Sequence, residues 1–157
     1  MRFLAIYTPL LEKIFLVGLL IGALFGLLEI EPFNITVTMV SLFGLAIAYY
    51  VAAFRPMETP EDGSGQMGFK ELLAYIIVPK VFWISSGVSL IGLGLLTMGS
   101  DTNGYKQMLM IGGITIATGM LVIMVLVIGG ARILRPVSTA LLRAIPLMIV
   151  DIFFLTR

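Results

Sequence analysis

The chain has no cysteine and no histidine. Without cysteine there is no disulfide, no thiolate nucleophile and no thiolate ligand for zinc or an iron–sulfur cluster. Without histidine there is no bis-imidazole haem ligation and no general base of the usual kind near neutral pH. Charge is also scarce: Asp, Glu, Lys and Arg together make up 12% of 157 residues, about half of what soluble domains carry. The net charge is +1, so no overall field attracts an acidic partner, and no nucleic-acid partner is expected. No Walker loop, nucleophile elbow, H-E-x-x-H or dinucleotide motif occurs, and no cofactor or metal is expected.

What the chain does have is apolar residues, 59% of the total, gathered into long runs. A helix needs about 20 mostly apolar residues to cross a bilayer. Four runs meet that length: Ile14 to Ile30, Ile35 to Phe54, Val81 to Met98 and Met108 to Gly130. The N-terminal stretch lacks a cleavage pattern and reads as a retained anchor with a short interfacial lead-in. The expected fold is therefore an all-α polytopic membrane protein in which four spans form two antiparallel hairpins. It divides into hairpin one (14–54), a cytoplasmic loop (55–70), hairpin two (71–130) and a basic tail (131–157). The tail holds Arg132, Arg135, Arg143 and Asp151 among apolar residues. A charge at the bilayer centre costs about 2.5–3.5 kcal/mol on insertion scales. On that cost the tail is expected to lie along the surface as an amphipathic helix, with a fifth span as the rival reading.

With four spans, Lys106 alone among the ten basic residues falls on the far face. The positive-inside rule then puts both termini in the cytoplasm. Size and the absence of targeting features point to a bacterial cytoplasmic (inner) membrane. Aromatic residues at span ends, among them Tyr49, Tyr50, Phe54, Phe82, Trp83 and Tyr105, read as an interfacial belt.

Small residues recur every four positions: Gly18, Gly22 and Gly26 in span one, Gly44, Ala48 and Ala52 in span two, Gly113 and Ala117 in span four. Such stripes let backbones approach closely, and the first two are expected to face each other across hairpin one. A shift of 69 residues superposes the hairpins with eight identities over positions 18–48, including Gly18 on Gly87 and Gly44 on Gly113. Chance in so apolar an alphabet gives roughly three. The repeat is parallel, because each hairpin would begin and end on one face.

Few side chains offer chemistry. Glu29 and Glu31 flank the outer turn, Lys80 follows Pro79, and Ser85, Ser86, Ser89, Thr115 and Thr118 give hydroxyls to spans three and four. Asp151 is the most anomalous carboxylate, set between IPLMIV and IFFL, and is expected to pair with Arg143 or Arg157 or to face a partner subunit. The segment GALFGLLEIEPFNITVTMVSLFGLAIAYY resembles the short membrane hairpins of gliding-motility motor subunits, with a Gly-rich first helix and a tight Pro-containing turn. It lacks a carboxylate within the second span, which speaks against the proton-driven role that the resemblance implies. The function expected is a non-catalytic subunit, embedded in the lipid bilayer and packed against other membrane-protein subunits, with a homo-oligomer as the alternative assembly. A small oligomeric transporter or channel is the alternative. A membrane enzyme acting on lipid or quinone through Asp151, Arg132 or Arg135 comes third.

Overall fold

The computed structural model describes residues 2–55, 68–99, 103–130 and 135–156, and the described residues are helical throughout apart from turns. Among the described residues five helices run in order: α1 (Arg2–Leu27), α2 (Phe33–Ala53), α3 (Phe69–Thr97), α4 (Gly104–Ile128) and α5 (Arg135–Leu155). Each has a stretch long and apolar enough to cross a membrane.

The helix ends follow from local chemistry. α1 closes with Ile30 N–H donating to Phe25 O at 3.0 Å and Glu29 N–H to Gly26 O at 3.2 Å, around Glu29 at φ 55°. This is the paired bonding of a left-handed helix cap, usually given to glycine. α3 ends at a glycine that adopts this region freely, Gly99 at φ 64°. Within α3 the backbone widens into one π turn at Leu73–Ile77, just before Pro79. Proline has no N–H, and its ring clashes with the carbonyl four residues back. That carbonyl belongs to Tyr75, inside the wide turn, so the helix continues through the proline.

α3 is the hub. It packs on α2, α4 and α5, while α1 packs mainly on α2. Half of the apolar window of α3 is buried (50%), against 11% for α1. One core cluster joins Leu42, Leu45, Ala46 and Tyr49 of α2 to Leu90 of α3. The other joins Val78 and Phe82 of α3 to Ile116 of α4 and to Ala140 and Ala144 of α5. Small residues set the spacing. A methyl on Gly92 would lie 2.8 Å from Leu109 Cδ2, and one on Gly119 would lie 2.9 Å from Phe82 Cε1.

The expected four spans with a surface-lying tail are not confirmed. Residues 135–155 form a helix that packs against α3 and α4 and buries Val137, Ala140, Ala144 and Asp151. The expectation rested on the cost of an unpaired charge, whereas Arg143 has a partner 131 residues away. α1 packs on α2, and α3 packs on α4. Most of the loop between them, residues 56–67, lies outside the described residues.

Candidate functional site

Among the described residues two polar clusters sit within this apolar bundle, and α5 supplies a residue to each. The first centres on Asp151, which is fully buried (0% exposed). Ser89 of α3, also fully buried, donates its hydroxyl to Asp151 Oδ2 at 2.6 Å. Asp151 Oδ1 is buried without a hydrogen-bond partner among the described residues. Gly113 of α4 leaves the room: a methyl there would come within 3.5 Å of Asp151 Cβ. A carboxyl with one donor and no cation is costly in an apolar interior. Among the described residues no group of three or more acidic side chains is placed to hold a metal.

The second cluster lies two helical turns back along α5. Arg143 grips Glu12 of α1 side-on: its Nε donates to Oε1, and its Nη2 donates to Oε2 at 2.9 Å. Tyr49 of α2 donates its hydroxyl to the same Oε1 at 3.3 Å. The third guanidinium nitrogen, Nη1, donates to Thr139 O at 3.1 Å. The guanidinium carbon stands 5.3 Å from the Trp83 ring centre, in cation–π range. Trp83 in turn meets Tyr49 edge-on at 5.0 Å. One ion pair thus draws together side chains of α1, α2, α3 and α5. Glu12 is only 9% exposed, yet both its oxygens are satisfied. Arg55, just past the end of α2, feels the fields of both Glu12 and Arg143, and burial pushes its guanidinium below the usual arginine range.

The small-residue positions are mostly spent inside the molecule. Gly18 abuts Ser41, and Gly22 abuts Thr38, so the first stripe meets hydroxyl residues of α2 rather than its small residues. Gly26 lies near Asn34, and Gly44 faces Phe15 of α1. Ala48 and Ala52 are buried. In α4 the residues turned to α3 are Gly112, Ile116 and Gly119. Gly113 faces α5 instead, and Ala117 is exposed. Positions matched by the 69-residue shift have different neighbours: Gly18 meets Ser41 on its hairpin partner, whereas Gly87 meets the backbone of α2 at Ala46.

Asp151 therefore pairs with a serine and not with Arg143, whose fork is taken by Glu12. Arg132 and Arg157 lie outside the described residues. Thr115 and Thr118 turn their hydroxyls onto their own helix, at Ile111 O (2.7 Å) and Ile114 O (2.9 Å). Ser85 does the same to Val81 O at 2.8 Å. Sequence reasoning missed Glu12, which read as part of an interfacial lead-in. The signal for it was an acid, Glu12, beside Lys13 in LLEKIF and a lone base in the apolar ALLRAIP, opposite charges on two distant segments. Compared with family models, curated proteins and solved structures, the chain matches none, and its function is read from this geometry.

Proposed function

We propose that the chain is a non-catalytic integral membrane subunit that packs against other membrane proteins. The observation that carries this reading is α1. Its Tyr7–Leu27 stretch has one face on α2, and Val17, Leu20, Leu24 and Leu27 are among its exposed large residues. A helix held on one side offers its other side to lipid or to a neighbouring chain. The polar clusters fit the same role, since they tie helices together rather than line an open path. The close approach of α3 and α4 at Gly92 and Gly119 fills the space between them. Extraction in a mild detergent, followed by the intact particle mass, tests the reading. Other chains in fixed ratio support it; a lone monomer or homo-oligomer overturns it.

The reading includes a fifth span. With α5 crossing, Lys106 and Arg157 lie on the far side and the other eight basic residues belong to the near side or the membrane end next to it. The near side is then the cytoplasm of a bacterial inner membrane, with the C-terminus outside.

Asp151 supports a second reading, a small transporter or channel made by oligomerisation. Ionisable groups buried within spans often mark ion pathways. Flux of protons or cations in liposomes holding the purified protein, lost in Asp151→Asn, would favour it over the accessory role.

A further inference from the structure

Arg55 carries two buried nitrogens, Nε and Nη2, without a hydrogen-bond partner among the described residues. They form the same side-on edge that Arg143 presents to Glu12. Such an edge matches two oxygens of a carboxylate or phosphate. The neighbouring carboxylate is already engaged: Arg143 and Tyr49 hold Glu12. Glu12, Arg143 and Arg55 carry formal charges of −1, +1 and +1, so the cluster has a net charge of about +1 at neutral pH. Among the described residues it is an oxyanion short of balance, and the two unpaired nitrogens are buried.

Its surroundings say which oxyanion. Arg55 stands where α2 ends, beside the Tyr50–Phe54 ring pair (5.1 Å) and at the end of the bundle that holds Tyr49 and Trp83. Rings of this kind settle at headgroup level, and basic pockets between helices on that side bind anionic lipid headgroups. A laterally open apolar groove of about 430 Å³ runs along α2 and is lined by Phe15, Val40, Phe43, Gly44 and Ile47, among others. From Gly44 the helix continues to Ala53, about 14 Å at 1.5 Å per residue, so Arg55 stands just beyond the end of the helix that lines the groove.

We propose that Arg55, backed by Arg143, binds the phosphate of an anionic phospholipid whose acyl chain lies in the groove along α2. The site needs a bilayer but no partner protein, so it stands or falls apart from the accessory role.

The test is lipid retention by the full chain in detergent, read by native mass spectrometry and by Trp83 fluorescence, since Trp83 is the only tryptophan. Three probes are compared at equal ionic strength: phosphatidylglycerol, phosphatidylcholine with the same chains, and inorganic phosphate. The expected result is one phosphatidylglycerol held about tenfold more tightly than phosphatidylcholine, with inorganic phosphate unable to displace it at millimolar concentration. Arg55→Gln should bring the two lipids to within about twofold. Arg55→Lys keeps the charge without the fork and should fall between. No lipid preference in the unmodified protein overturns the proposal. Displacement by inorganic phosphate overturns the lipid assignment. If Arg55→Gln does not fold, retention by Arg55→Lys equal to that of the unmodified protein overturns the role of the fork.

Discussion

Arg143→Met should cost this protein far more than removal of the whole ion pair. The substitution keeps a long apolar stem in place and deletes only the guanidinium. Glu12, 9% exposed, would then face an apolar bundle with Tyr49 as its remaining donor. At the 2.9 Å separation of Arg143 Nη2 and Glu12 Oε2, the Coulomb attraction is about 6 kcal/mol at an effective dielectric of 20. Much of that offsets the desolvation of both groups, and the Arg143 side chain keeps 28% exposure. Breaking a buried pair by removing one partner costs about 3–5 kcal/mol. The lower end, about 3 kcal/mol, fits this half-open pair. Glu12→Gln combined with Arg143→Met removes both charges, leaves an amide oxygen for Tyr49, and should recover all but about 1 kcal/mol. The assay is reversible denaturation in mixed micelles followed by Trp83 fluorescence, run as a double-mutant cycle. A cost below about 0.5 kcal/mol for the single variant, or additive costs in the double, would refute the pairing.

Three further outcomes follow from the packing, each read by the same denaturation assay. Ser89→Ala strips Asp151 of its sole described donor and should destabilise by about 1–3 kcal/mol; no change would mean that the carboxyl is satisfied elsewhere. Gly92→Val drives a side chain into Leu109 and should cost about 1–3 kcal/mol, while Gly99→Ala, with open space around it, pays only for its left-handed backbone, about 1–2 kcal/mol. Glu29 holds φ 55° without being glycine, so Glu29→Gly should be neutral or stabilising by up to about 1 kcal/mol, and Glu29→Val should destabilise.

The membrane class and four of the helices were legible because run length and charge depletion report directly on the solvent a helix requires. α5 was legible as a helix but not as one packed against α3 and α4, for a physical reason. Insertion cost judged one helix at a time treats Arg143 and Asp151 as isolated charges, and each has its partner on a distant helix, Glu12 and Ser89. The glycine stripes showed that backbones approach closely but not at which face. Gly112 and Gly113 are adjacent in sequence and differ by about 100° around the helix, so one meets Ser89 and the other Asp151. The anomaly of Asp151 was plain from its apolar flanks; its serine partner needed the fold.

In the proposed topology, residues 135–155 cross the membrane as a fifth helix, held by the Glu12–Arg143 pair. The absence of cysteine makes the test clean. Single cysteines at Gly68 and at Thr156 are labelled with an impermeant maleimide in sealed vesicles of known orientation. Three crossings separate these positions if α5 spans, so they should label from opposite faces. Labelling of both from the same face would leave α5 uncrossed and contradict the account.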